Sequence, residues 1–241
     1  MVMMIKIYDN WHYQNYESDS SHSNDPLIII RDVCDLMLEA FDENPDTVLL
    51  ITDIKQLGNP ICLDNNMEIY LSTAGNTYWA QNAYQLSHEL CHHFIKKKTP
   101  IDNNSWFEES ICELASIYFL SKTASLWSNS TNAVKLFYSS SITEYISELL
   151  ISRSNIDLKQ LSIQSSALYK EMNADPYLRD NNNYIATKLL PIFKKTPSLW
   201  EDIYLIRELN IKDLNTFFTK WSQLAKKENV GSILEISELF L

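Results

Sequence analysis

The chain has 241 residues and a formal net charge of −11, a field that repels phosphate backbones and argues against a nucleic-acid partner. Hydrophobic residues make up 45% and charged residues 21%, the balance of a globular protein long enough to bury one large core or two small ones. Only three glycines occur, which disfavours Gly-rich phosphate loops and sharp-cornered all-β folds.

The chain opens MVMMIKIYDNWHYQ, with no basic region, long apolar stretch and small-residue cleavage site in series, so no secretory signal is expected. Residues 4–8 are predicted as a short strand. His12 and His22 fall in polar segments expected to be loose and to carry no function. Asp25-Pro26 supplies an N-cap followed by proline at the first helical position. Apolar residues then recur at Ile30, Val33, Cys34, Met37, Leu38 and Phe41, the spacing of a helix ending near Asp42, before Asn44-Pro45.

Residues 47–54 are rich in apolar and β-branched types and predict a strand. Further strands are expected at 61–63 and 67–72, separated by a turn at Asp64-Asn65-Asn66. Residues 1–75 thus suggest a small mixed sheet with one covering helix. A continuous helical pattern follows from Thr77 to Lys97, where Lys96-Lys97-Lys98 complements the helix C-terminus and Pro100 ends the segment. A second helix begins at Ser105. Beyond about residue 125 the pattern is helical throughout, over 132–152, 157–173, 182–193, 197–209, 211–227 and 231–239. The class is α+β. Residues 1–125 form the strand-containing half and 126–241 a helical lobe, as two domains or one continuous domain.

No apolar run approaches the roughly 20 residues that span a bilayer, so no membrane partner is expected. The four cysteines, Cys34, Cys62, Cys91 and Cys112, show no CxxC spacing, which fits reduced thiols in a cytoplasm.

The chemistry concentrates in residues 84–94, YQLSHELCHHF. His88-Glu89-Leu90-Cys91-His92 is an HExxH motif, and residues four apart on a helix share a face, so both imidazoles can reach one ion. Chance alone produces such a match in roughly 0.7% of chains of this length and composition, so context has to decide. At about 100° per residue, His88, His92, Gln81 and Gln85 fall within an arc of roughly 60°. Trp79, Ala83, Leu86, Leu90 and Phe94 lie opposite, and Glu89 flanks the imidazoles. Zinc accepts neutral imidazole nitrogens and keeps one position open for water at catalytic sites. His93, about 100° from His92, is expected at the rim or in solvent.

The next helix supplies further candidates in Ser105-Trp106-Phe107-Glu108-Glu109-Ser110-Ile111-Cys112-Glu113. Ser105 and Glu108 have capping-box spacing. Glu109 and Glu113 share a face, with Phe107, Ile111, Leu114, Ala115 and Tyr118 on the other. Glu109 is therefore expected as the third zinc ligand, and Glu113 as the acceptor that orients a ligand histidine through its second N–H. Asp102 is a less well supported donor, since no helix holds it. Cys91 and Cys112 could serve zinc as soft ligands, yet small buried packing residues are the plainer reading of both.

His88-Glu89-x-x-His92 followed by Trp106-Phe107-Glu108-Glu109 resembles the gluzincins, zinc peptidases whose third ligand is a downstream glutamate. Trp106, Glu109 and Glu113 match that pattern. Glu108 stands where the family often has Asn, Ser110 where aminopeptidase-type members have Gly, and the step from His92 to Glu109 is slightly short. The resemblance covers about residues 67–120. It implies a zincin-like N-terminal half, with the strand at 67–72 at the sheet edge where an extended peptide is bound. The residues alone read equally well there as a half-buried strand. The resemblance also implies an oxyanion-stabilising side chain from the helical lobe, for which Tyr177, Arg179 and Tyr184 are candidates beside the simpler reading of a surface loop.

The expected activity is zinc-dependent hydrolysis of peptide bonds in a peptide or protein substrate, with Glu89 as general base. The alternative is a regulatory or binding protein on a zincin scaffold with little turnover.

Overall fold

The computed structural model describes residues 4–15, 26–54, 57–63, 67–75, 77–95, 103–151 and 154–241. The expectations for His22, Asp25, the turn at Asp64-Asn65-Asn66, Lys96-Lys97-Lys98, Pro100 and Asp102 lie outside the described residues. The described residues are mixed α and β, with a small sheet near the N-terminus and helices elsewhere. Two compact units emerge, Met1–His93 with Ala115–Glu148, and Phe94–Leu114 with Leu149–Leu241.

The first unit holds strands β1 (Met4–Lys6), β2 (Trp11–Asn15), β3 (Leu49–Asp53), β4 (Ile61–Cys62) and β5 (Glu68–Leu71), in the order β1-β2-β3-β5-β4. The β2–β3 and β3–β5 pairs are parallel and the two outer pairs antiparallel, so the sheet is mixed as expected. A parallel pair needs a crossover connection, and helix α1 (Leu27–Phe41) provides it between β2 and β3. Its inner face is the predicted stripe, with Ile30, Val33, Cys34, Met37, Leu38 and Phe41 all buried. Asp42 ends it in the left-handed conformation, φ 52°, a common way to close a helix. Pro26 stands at the cap itself and Leu27 is the first helical residue, one position later than the sequence suggests.

Two expectations for this sheet fail. Residues 11–15 form strand β2, with Trp11, Tyr13 and Asn15 turned inward and His12 half-buried between them. The indole of Trp11 donates to the Thr47 carbonyl at 3.0 Å. Three polar residues around two aromatics hide the period of two, although aromatics are good strand formers. The 67–72 strand is not an edge either, because β4 pairs with β5 through Ile61–Tyr70 and Cys62–Ile69.

Helices α2 (Trp79–Ile95) and α3 (Ser105–Ser128) both run through the division between the units. Helix α4 (Ala133–Leu149) belongs to the first unit up to Glu148. There Asp32 of α1 accepts from the Trp127 indole and the Lys135 ammonium, both at 2.5 Å.

The second unit contains α5 (Ala167–Ala174), α6 (Arg179–Lys195), α7 (Leu205–Leu209), α8 (Leu214–Leu224) and α9 (Val230–Phe240), with 3-10 turns at Leu158–Ser162, Pro197–Asp202 and Lys227–Asn229. Beyond residue 125 the described residues carry helices and no strand, broken more often than the sequence suggests. Helix α6 starts at Arg179, three residues ahead of the expected start, so Arg179 and Tyr184 are helical and not loop residues. The first turns of α3 anchor here. Phe107 meets Phe217, Phe218 and Phe240 edge-on at 5.6–5.8 Å between ring centroids. The Asn104 side chain donates to the Ile211 carbonyl at 2.9 Å.

Glu108, expected to close a capping box, has both carboxylate oxygens taken by Arg207, through Nε at 2.7 Å and Nη2 at 2.8 Å. The carboxylate side chain is only 3% exposed. A buried charge stripped of its partner is costly, so Arg207→Ala should destabilise the protein by about 3–5 kcal/mol in urea unfolding. Adding Glu108→Gln to that variant should recover part of the loss. A cost below about 1 kcal/mol for Arg207→Ala would place the pair among ordinary solvent-screened ones.

Candidate metal centre

Helix α2 is buried on nearly its whole circumference, and among its residues only Gln81 and His88 are half-exposed. Burying so many polar side chains is tolerable only if each has a partner. Gln81 and Gln85, on the imidazole arc, show how this is done. The Gln85 amide accepts from the Ser72 N–H at 2.8 Å and donates to the Ser72 carbonyl at 2.9 Å. Gln81 accepts from the Ala74 N–H at 2.7 Å. Between them, Thr73 donates its N–H and hydroxyl to the Asp53 carboxylate at 3.2 and 2.6 Å. Three consecutive residues leaving β5 are therefore each held by a different side chain.

One turn further along the same arc stand the imidazoles. The rings of His88 and His92 are 5.0 Å apart between centroids and inclined at 63°. His88 is half-buried and His92 is 7% exposed. Among the described residues, His88, His92 and Cys112 are the one group of three or more His, Cys, Asp or Glu side chains whose possible ligand atoms lie within 4.8 Å of one another.

The donor chemistry suits zinc, which binds imidazole nitrogen at about 2.0–2.1 Å and thiolate sulfur at about 2.3 Å. Tetrahedral geometry places such donor pairs about 3.3–3.6 Å apart. Glu89, next to His88 on the helix, is 4% exposed.

The other predicted residues are placed as follows. Glu109 is half-buried on α3 and stands outside the His-His-Cys group, as does Glu113. Glu113 is 4% exposed and accepts from the Asn183 amide at 3.0 Å. Tyr177 is 72% exposed just ahead of α6, and Arg179 is exposed at its first turn. The Tyr184 hydroxyl donates to Asn155 at 3.1 Å, with Lys188 above its ring. His93 is not at the rim: it is 1% exposed and packs edge-on against Trp11 at 5.7 Å. Cys91 is fully buried.

Two sets of supporting residues were not legible beforehand. Gln81 and Gln85 share the histidine arc in sequence, but their hold on 72–74 depends on where β5 ends. The Asn181-Asn182-Asn183 run reads as a loop, whereas on α6 each amide has a task. Asn181 accepts from Ser154 at 2.6 Å, Asn182 from Ser110 at 3.0 Å, and Asn183 donates to Glu113.

Gln85→Ala would remove the two buried bonds its amide makes to the Ser72 backbone and should cost about 2–6 kcal/mol in urea unfolding, at about 1–3 kcal/mol per lost bond. Gln81→Ala, whose bond is exposed, should cost under about 1 kcal/mol. Equal costs for the two would show that 72–74 is not held as described. Comparison with protein-family models, with curated proteins and with solved structures finds no match to this chain.

Proposed function

We propose that this protein hydrolyses peptide bonds with the help of a zinc ion held by His88 and His92, on a zincin-like arrangement of sheet, HExxH helix and following helix. The observation that carries this reading is the pair of HExxH imidazoles on one face of α2, 5.0 Å apart between ring centroids, with the adjacent Glu89 buried. The third donor comes from α3, where the resemblance to gluzincins implies Glu109 with Glu113 behind it. Zinc, when bound, supplies a Lewis acid that polarises a carbonyl and lowers the pKa of water.

The chain's own part in the reaction falls to Glu89. Its carboxylate accepts a proton from the attacking water and returns it to the amine nitrogen as the peptide bond breaks, so a single group serves as base and then acid. Burial strengthens this role, since a carboxylate removed from bulk water interacts more strongly with the charge that develops near it. Among the described residues no helix is long and apolar enough to cross a membrane. We place the protein in a cytoplasm, where the four buried cysteines remain thiols.

The test is a digest of a mixed peptide library, read by mass spectrometry, for wild type, Glu89→Gln and His88→Ala. Glu89→Gln should keep its zinc and its thermal stability while cleavage falls by about 10²–10⁴-fold or more. His88→Ala should lose most of the metal. Equal cleavage by wild type and Glu89→Gln would refute the assignment of Glu89. Cleavage by none of the three, with zinc bound to wild type, would favour the regulatory-scaffold reading.

A further inference from the structure

We infer that a cavity in the first unit, between the start of α1 and the start of α4, binds an apolar α-amino-acid unit with a free carboxylate. The cavity has a volume of about 440 Å³ and is lined by Leu27, Ile28, Arg31, Asp32, Asn132 and Lys135, all of which belong to that unit. Its size, and its mixture of an apolar wall with a few polar groups, are those of small-molecule sites. The inference is independent of the zinc reading of His88 and His92.

The polar groups of the lining are only partly used by the fold. Asp32 takes both of its donors, the Trp127 indole and the Lys135 ammonium, on Oδ2 at 2.5 Å. Its Oδ1 accepts no hydrogen bond among the described residues, although a carboxylate has about four lone-pair sites. Asn132 spends its side-chain oxygen on the N–H groups of Val134 and Lys135, at 2.9 and 3.4 Å. The NH2 of that amide donates to none of the described residues. Arg31 gives Nη2 to the Lys6 carbonyl at 3.0 Å, and the rest of its guanidinium donates to none of them.

These unspent groups define the ligand. Arg31 and Lys135 against Asp32 give the lining a net positive charge on a chain whose net charge is −11, which favours an anion over a metal cation or a simple amine. Arg31 and Asn132 present N–H donors, which suit a carboxylate. The open acceptor on Asp32 calls for an N–H on the ligand and disfavours a bare dianion such as phosphate. Leu27 and Ile28, both half-buried, supply the apolar wall. A carboxylate, an N–H and an aliphatic side chain borne by one carbon atom are the chemistry of a free leucine-like amino acid and of the C-terminal residue of a peptide.

The experiment is a calorimetric titration of the full-length protein with leucine, N-acetyl-leucine, leucinamide and 4-methylpentanoate, with mass spectrometry showing that each ligand is recovered intact. Leucine or N-acetyl-leucine should bind with a Kd of about a millimolar or tighter. The tighter of the two tells a free amino acid from a chain terminus. Leucinamide lacks the carboxylate and 4-methylpentanoate lacks the N–H, so each should bind more weakly by about tenfold or more. Arg31→Gln should weaken binding of the amino-acid probe by about tenfold or more. Asn132→Asp should do the same, since it keeps a helix-capping oxygen but replaces the NH2 donors with a negative charge. Both residues are exposed, which favours folded variants. His88→Ala should bind the probe as wild type does, which separates this cavity from the candidate metal centre. No binding of leucine or N-acetyl-leucine overturns the inference, as does binding that survives both Arg31→Gln and Asn132→Asp or is lost in His88→Ala. Leucinamide or 4-methylpentanoate bound as tightly as the amino-acid probe would also overturn it.

Discussion

The rotation of α3 about its own axis is fixed by burial. Every residue from Ser110 to Leu120 is buried, so a turn in either direction would drive packed groups into their neighbours at native density. Directional bonds reinforce the packing. Arg207 grips Glu108 as a fork, Asn182 accepts from Ser110, and Asn183 donates to Glu113. Glu108 and Ser110 stand on different faces, so the helix is held from more than one side.

The same logic governs the polar content of the core. Glu89, His92, Glu113 and Asn182 are each less than a tenth exposed, and each would be a liability in an apolar interior. Polar groups are affordable there when they form satisfied networks, and such networks specify one arrangement more sharply than apolar packing does. The three asparagines at the start of α6 show the trade. They are poor helix formers, yet their amides fit the polar faces presented to them. Tertiary contacts outweigh a propensity deficit of a few tenths of a kcal/mol per residue.

This trade also explains what the sequence reveals and what it conceals. The α1 stripe and the HExxH pair are legible because each is periodic within one element. The sheet's class follows from the apolar runs at 49–53 and 68–71, but its order depends on pairings between distant segments. That is why β5 reads as an edge until β4 is seen beside it. β2 is missed because His12, Gln14 and Asn15 dilute the alternation of Trp11 and Tyr13. His93 reads as a rim residue because helical phase relative to His92 says nothing about Trp11, whose ring it meets.

One arc of α2 performs two tasks in succession. Its first turns carry Gln81 and Gln85, which hold residues 72–74 by their backbone, and its later turns carry His88 and His92. The Gln85 amide meets both the N–H and the carbonyl of Ser72, as a neighbouring strand would, so the end of β5 is satisfied without a further strand. Since β5 is locked to β3 by a parallel ladder and Asp53 at the end of β3 holds Thr73, the helix is registered against the sheet at Ser72 and Ala74, on either side of Thr73, through three bonds from Gln85 and Gln81. Sliding α2 along its axis would break all three bonds together, and rotating it would do the same. The imidazoles therefore inherit their position from the sheet. On the proposed reading, a metal taken by the two imidazoles would meet donors already near their final places, so less of its binding energy would be consumed in ordering the site.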